Sequence, residues 1–404
     1  MRVLWFSNTP AAGDDFISNS GTGGWLKSLD KAIQDKVELH VAFYDRHYPS
    51  EFRVGKTIYH QIAPLDRKSL VIRRIKMLMG ENPDIQRYYN VINQVKPDLI
   101  HIHGTERPWI QLTKDTDIPV LLSIQGIVTV ITHKYFSGIE KKYFSSHNSN
   151  IMSYKRLVKE GGIEREYLQY IHYVMGRTAW DKRVYSVLAP HAKYFYGGEI
   201  LRDGFYEFKW MPHWTESHVI IHTTTGGMAF KGLETICKAV SILTKAGLNV
   251  EWRIAGIAED DKLVMIVKRM LGSDYPSKGI TFLGSLNEDD LVKKMLQADI
   301  YVNASHQDNS PNSLCEAMLL GMPCVATCAG GTSTILKDDE TGLLVQDGDP
   351  WGIAGAVLEL SNNQNKAEQY ATKARDVATQ RHNKALITDG LIDVYNFILE
   401  NSKK

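Results

Sequence analysis

Cysteine is scarce in this chain of 404 residues: Cys237, Cys315, Cys324 and Cys328 are the whole set. None forms a C-x-x-C pair, which argues against a disulfide scaffold and points to reduced thiols in a cytosolic protein. Cys324 and Cys328 flank a short apolar run and are expected as buried small residues. Long apolar runs are also missing: none reaches the ~18 residues of a membrane span. The start, "MRVLWFSNTP", has too short an apolar stretch for a signal peptide. Charge of one sign is lacking too. The formal net charge of +1 argues against a general nucleic-acid binder. No H-E-x-x-H spacing occurs and no D-x-D ends an expected strand; Asp347-Gly-Asp349 reads as a turn. No metal site and no cofactor are therefore expected. Low-complexity tracts and short repeats are absent.

The chain does contain a regular alternation. Short apolar runs fall at 3–7, 38–44, 98–104, 119–126 and 185–189, then at 218–225, 252–257, 280–285, 299–305, 323–327 and 342–346. Runs of this kind read as strands buried on both faces of a parallel sheet. Helical patterns such as 232–247 and 288–298 separate them, so the fold class is α/β. The pattern lapses over about 127–183 and again over 191–217. A boundary is expected near Pro212, giving domains 1–211 and 212–385, with a last helix at about 386–404 rejoining the first domain. Ligands of open parallel sheets sit outside the carboxyl ends of the strands, so the cleft between two such domains is the expected site.

The segment "HQDNSPNSLCEAMLLGMPC" (306–324) carries Asp308 and Glu316 around a small polar loop. Ser310-Pro311 offers one helix start and Ser313-Leu-Cys-Glu316 a second, a capping box. Either start presents free backbone amides and the positive end of a helix, which suits phosphate. Hydroxyl-binding carboxylates on both sides of a phosphate pocket describe a nucleotide-sugar. The plainer reading leaves Glu316 closing a cap and Asp308 as a solvated loop residue.

Five further stretches belong to the same picture. Residues 218–236 read as strand, glycine loop and helix, with Gly226 and Gly227 in the loop and Lys231 as a point charge before the helix. "NSGTGGWLKSL" (19–29) has Gly21, Gly23 and Gly24 before a helix without the dinucleotide G-x-G-x-x-G spacing. His101 and His103 share one face of their strand by alternation. His103, nearer the carboxyl end, is either a cleft residue or a core histidine. Residues 67–79, "RKSLVIRRIKMLM", form a basic amphipathic pattern that fits either an anionic membrane surface or a core-packed helix. Residues 134–183, including Arg177 in "GRTAWDKR", mix aromatic and basic side chains and are expected as an acceptor-binding insertion.

From Asp308 onward the register is an acid, seven residues, Glu316, then Gly321, Pro323, Gly330-Gly331 and "TGLLV" (341–345). In this pattern the segment resembles the donor-binding part of glycosyltransferase family 4. The resemblance implies the GT-B fold, two Rossmann-like domains facing across a cleft. It implies a glycosyltransferase that moves a sugar from a nucleoside diphosphate sugar to a glycan or lipid-linked glycan, with retention and without a metal. Asp308, where the family usually has Glu, would touch the transferred sugar, and Glu316 the ribose. Asn309, Ser310, Asn312, Ser313 and Leu314 would line the donor, with Gly23, Gly24, Gly226, Gly227 and Lys231 near the diphosphate and Leu283 near the base. Gly226 holds the place of a family arginine; either helix N-termini and Lys231 suffice without it, or a nearby residue such as Arg253 substitutes. Catalysis falls to Asp308, Lys231 and His103; the acceptor side to His103, Gln125 and Arg177. Gln125 stands where the family often has a histidine. A cytoplasmic protein with peripheral membrane contact through 67–79, and no nucleic-acid partner, is the expectation. A non-catalytic sugar-nucleotide-binding scaffold and a sugar-nucleotide epimerase or phosphorylase on the same fold remain the alternatives.

Overall fold

The computed structural model describes residues 1–17, 24–45, 47–62, 84–144, 148–215 and 218–402. Eight strands build the first sheet: β1 Arg2–Ser7, β2 Glu38–Phe43, β3 Glu51–Val54, β4 Thr57–Gln61, β5 Leu99–His103, β6 Val120–Ser123, β7 Tyr173–Gly176 and β8 Lys193–Tyr196. Their order is β3-β4-β2-β1-β5-β6-β7-β8, parallel except for the β3–β4 hairpin at one edge. The second sheet holds β9 Val219–Thr224, β10 Val250–Ala255, β11 Ile280–Gly284, β12 Ile300–Asn303, β13 Cys324–Thr327 and β14 Leu343–Val345. It is parallel throughout, in the order β11-β10-β9-β12-β13-β14.

The central strands are covered on both sides. In β1, Val3, Leu4, Trp5 and Phe6 are all fully buried. Leu4 and Phe6 enter one core, Val3 and Trp5 the other, the period-two division of a two-sided strand. In the second sheet the strand order reverses direction between β9 and β12, in the first between β1 and β5. Loops leaving these strands part to opposite sides there and open a crevice.

Several expectations need correction. Residues 185–189 are not a strand but the end of a helix, Ala179–Leu188. Thr178 and Asp181 form a capping box at its start, and Tyr185 is buried while Val187 is 78% exposed. Four strands went unread: β3, β4, β7 and β8, all of four or five residues. The lapse over 127–183 contains a 20-residue helix, Asn148–Tyr167. Cys328 is exposed, unlike the other three cysteines. The chain reaches the second domain ahead of Pro212: Leu201, Phe205 and Trp210 are buried in its core, and the Trp210 indole N–H donates to the Ala298 carbonyl at 2.7 Å. Among the described residues no helix is long and apolar enough to cross a membrane. The basic segment 67–79 lies outside the described residues.

The last helix, Lys384–Asn401, returns to the first sheet. Leu391, Val394, Tyr395 and Ile398 are buried beside Val3 and Trp5. A buried hydrogen-bond chain pins it there. Trp5 Nε1 donates to the Tyr395 hydroxyl at 3.0 Å, and that hydroxyl lies 2.7 Å from His101 Nδ1. His101 Nε2 lies 2.7 Å from Ser123 Oγ. Because the indole can only donate, the tyrosine donates onward, which leaves the histidine proton on Nε2. Burial pulls the His101 pKa down to about 3, so the ring is neutral. Tyr395→Phe leaves a buried indole N–H and a ring nitrogen unpaired. It should cost about 2 kcal/mol in urea unfolding, with the C-terminal helix becoming cleavable by protease; an unchanged midpoint would refute the role of this chain.

Candidate active site

Both switch points open onto one cleft. From the second domain, β9 runs into the loop that carries Gly226 and Gly227, then into a single turn, Ala229–Lys231, and Gly232. Gly232 has φ of +80° and lies against the Ala304 carbonyl, where a Cβ would collide. Only glycine brings the two loops this close, and the approach fixes Lys231. Its ammonium meets Asp308 Oδ2, from the loop after β12, at 2.6 Å. Gly330 packs in the same way on the Asp308 carbonyl, and the Gly331 amide donates to that carbonyl at 3.0 Å.

The helix after this loop is Asn312–Leu320, with Pro311 at the cap position and no side-chain cap. Neither expected cap forms: the helix starts at Asn312, which leaves Ser313 inside its first turn, and Ser310 and Glu316 are engaged elsewhere. Ser310 Oγ donates to Glu199 Oε2 at 2.9 Å. Glu316 takes a bidentate pair from Arg202, at 2.8 and 2.7 Å. Burial pushes the Glu316 carboxyl up, and Arg202 opposes that shift; the two-pronged geometry is that of an ionised pair.

Facing these loops, the first domain contributes Trp25, Glu106, Gln125, Arg177 and Glu199 to a cavity of about 260 Å³ whose other wall is Lys231 and residues 307–310 and Asn312. Glu199 is 1% exposed. It forms an ion pair with Arg177, whose guanidinium burial pulls down to about 10. The Asn312 amide, in the orientation that satisfies both its ends, donates to Glu199 at 2.9 and 3.0 Å. A carboxylate of the first domain thus holds the side chains at the start of this helix, Ser310 and Asn312. Asn309 adds two more bonds between the domains, accepting from Thr178 Oγ1 at 3.0 Å and donating to the Gln125 carbonyl at 2.9 Å.

Of the residues named from sequence, the cleft brings together Lys231, Asp308, Asn309, Ser310, Asn312, Gln125 and Arg177. Gly24 begins the helix Gly24–Ile33; Gly23 lies outside the described residues. Gly226 and Gly227 are exposed on their loop. Leu283 is half-buried in β11, Ser313 half-buried in the first helical turn, and Leu314 fully buried in the core. Glu316 is buried behind the cleft against Arg202. His103 is fully buried, its ring 4.5 Å from Trp5 and 5.9 Å from Trp25. It lines neither described cavity, and burial holds its pKa well below the usual histidine value. Arg253 is tied to Glu251 at 2.8 Å and does not line the cleft.

Four residues escaped the sequence reading. Glu199 and Arg202 come from "GGEILRD", which carries no strand or helix signal. Glu106 follows β5 in "GTERP"; it accepts from the Gly126 amide at 2.7 Å, and burial pushes its carboxyl up. It forms no ion pair among the described residues, whereas Asp308 is paired. The fourth is His306, 2.7 Å from Glu234 and 3.5 Å from Asp347. Gly138 of the first domain backs onto this pair with no room for a Cβ. Burial pulls the His306 pKa down, but Glu234 and then Asp347 outweigh it and the net shift is upward.

Residues 219–363 match the family model described as glycosyl transferases group 1. This group 1 segment contains Lys231, Asp308 and Glu316. A curated relative, the N-acetyl-alpha-D-glucosaminyl L-malate synthase of Bacillus anthracis, is 20% identical over 185 residues, 46% of this chain and 47% of that one. The match therefore spans about half the length of that relative. Among solved structures, sucrose-phosphate synthase from Thermosynechococcus elongatus superposes with a TM-score of 0.75 at 15% identity, covering 99% of this chain and 100% of that one. HepE of Anabaena, in complex with UDP and glucose, gives 0.67 at 15% identity, covering 98% and 99%. The architecture is the GT-B fold.

A raised histidine pKa gives a signed expectation. The folded chain keeps a proton on His306 that the unfolded chain loses above about pH 6.5. Its stabilisation is complete below that value and is lost as pH rises through the folded-state pKa. Melting temperatures from about pH 6 to 9 should fall more steeply in the wild type than in His306→Gln; parallel curves would show that the pair is not ionised.

Proposed function

We propose that the chain is a retaining glycosyltransferase of the family 4 type. It would move a sugar from a nucleoside diphosphate sugar to a hydroxyl of a glycan or lipid-linked glycan. The observation that carries this reading is the Lys231–Asp308 pair beside the first turn of the helix Asn312–Leu320, directly across the cleft from Glu106 and Gln125. Support comes from the group 1 match and from the related names: a glucosaminyl L-malate synthase, and a GT-B protein holding UDP and glucose.

In this mechanism the helix amides and Lys231 stabilise the diphosphate as it leaves, in a site that needs little reorganisation. Asp308 accepts hydrogen bonds from the transferred sugar, and Lys231 holds it in place until the phosphate arrives. Glu316, oriented by Arg202, takes the ribose hydroxyls. Glu199 must release the Ser310 hydroxyl and the Asn312 side-chain amide if these are to meet the phosphate. On the acceptor side, Glu106 accepts a hydrogen bond from the incoming hydroxyl. The Gln125 side-chain amide, which has a buried unpartnered nitrogen, donates to a second oxygen. Holding both substrates at this distance supplies the rest of the rate.

Asp308→Asn and Lys231→Ala should each lower kcat by about 10²–10³-fold in an assay of sugar transfer, with melting temperatures close to wild type. Glu106→Gln should raise the acceptor KM or lower transfer by about tenfold or more while leaving slow donor hydrolysis intact. Transfer at near wild-type rate in the two donor-side variants would sink the site assignment. A second reading, a sugar-nucleotide-binding scaffold without turnover, is favoured by one observation. Glu199 and Arg202 already fill the anion and ribose positions. Calorimetric binding of a UDP- or GDP-sugar with no product on any acceptor would select it.

A further inference from the structure

A second and larger cavity lies behind the cleft. It measures about 500 Å³, within the roughly 300–1,000 Å³ typical of small-ligand sites. Trp25 and Arg177 line both cavities and form the partition between them. The remaining walls come from the helix Gly24–Ile33, from the strand ends of the first sheet, and from the facing ends of the helices Gln364–Arg381 and Lys384–Asn401. The proposed mechanism uses none of its other residues.

The chemistry of the walls is one-sided. Leu29, Met175, Ile335, Ile387 and Leu391 present apolar surface, and the glycines at 197, 198 and 390 leave the space unfilled. His101 is neutral and already bonded to Tyr395 and Ser123. The charged groups on the lining are Arg177 and Arg381; no carboxylate joins them. Arg177 is neutralised by Glu199 on the cleft side. Arg381 forms no ion pair among the described residues. Its Nη2 donates to the Arg177 carbonyl at 2.8 Å, its Nε is buried without a partner, and its guanidinium lies 5.8 Å from the centre of the Tyr196 ring. The first turn of the 18-residue helix Lys384–Asn401 runs along the wall at Leu386 and Ile387, adding positive potential. The carboxyl end of the helix Gln364–Arg381 opposes it, and Arg381 sits in that last turn.

An apolar chamber whose net charge is positive, with an arginine on its lining that has no ion pair among the described residues, selects a ligand with an apolar body and one anionic group. We propose that this cavity binds a single-chain amphiphile carrying one phosphate or carboxylate head. The head would sit on Arg381 and the chain would run along Leu29, Ile387 and Leu391 toward Trp25. The assignment does not depend on what the cleft transfers. Because Trp25 and Arg177 face both spaces, an occupant here lies against the floor of the cleft.

Gly390 allows a direct test. It lines the cavity, and a Cβ added there meets no atom within 4 Å. The first atom of a side chain there therefore enters open space, and Gly390→Leu, within a helix, should occupy part of the cavity and keep or raise the melting temperature. Calorimetry on the full chain would use decyl phosphate and decanoate below their micelle-forming concentrations, with decanol and inorganic phosphate as the apolar and anionic halves alone. The expected result is one molecule of decyl phosphate or decanoate bound per chain. Decanol and phosphate should bind at least about tenfold more weakly. Affinity should drop about tenfold or more in Arg381→Gln and vanish in Gly390→Leu. The proposal is overturned if neither amphiphile binds the wild type, if decanol binds as well as decyl phosphate, or if folded Gly390→Leu binds like the wild type.

Discussion

The cleft is organised around one buried carboxylate. Glu199, 1% exposed, cannot remain charged there unless cations and donors meet it at close range. The chain supplies them from both sides. Arg177 comes from the first domain, and Ser310 and Asn312 from the second. Taking away any one partner would leave charge in a low-dielectric seam, so the pairing fixes how the domains face each other. That relation sets Glu106 and Gln125 opposite Lys231 and Asp308. It also decides what the helix Asn312–Leu320 offers an incoming ligand. The side chains at its start, Ser310 and Asn312, are already bonded to a carboxylate, and a donor phosphate that uses them must exchange for it.

The same internal compensation runs through the donor face. Lys231 is held by Asp308, and Glu316 by Arg202. A substrate that engages these groups replaces one partner with another, so affinity is a difference between two sets of similar bonds. Glu106 stands apart. It carries an amide hydrogen bond but no cation, and its carboxyl is pushed up by burial. A hydroxyl donor arriving there adds an interaction without breaking an ion pair.

The sheet interiors were legible from sequence because burial on both faces leaves unbroken apolar runs, as at 3–7 and 218–225. The edges were not. β3 and β8 are short and partly exposed, so their side chains follow solvent rather than a core, and β4 beside β3 is buried but mixes Thr57, His60 and Gln61 into its five residues. At 185–189 the residues circle a helix, with Tyr185 inside and Val187 exposed, and the capping pair Thr178 and Asp181 was the signal that could have told helix from strand. The site was half legible. Asp308 and Lys231 follow strands at the switch point, where chemistry is expected, and they do meet. Glu316 kept its place in the pattern, but the capping box that its spacing suggested was displaced by Arg202. That displacement, like the placement of Glu199, depends on contacts 114 and 111 residues apart in the chain, which no local window reads. His103 followed the strand rule and still ended beneath two tryptophans, because alternation fixes a face and not a depth.

The hydrogen-bond chain from Trp5 through Tyr395 to His101 joins residues 390 positions apart. The first domain thus has part of its core supplied by a helix that follows the whole second domain in the chain. At roughly 5–20 residues per second, the strands up to β8 emerge some 10–40 s before the helix that covers Val3 and Trp5. During that interval one face of the first sheet has only part of its cover, the helix Gly24–Ile33, and only the second domain can finish folding without waiting for the helix Lys384–Asn401. The order of synthesis and the order of completion are therefore reversed in this chain, and a shortened C-terminus would injure the domain at the opposite end.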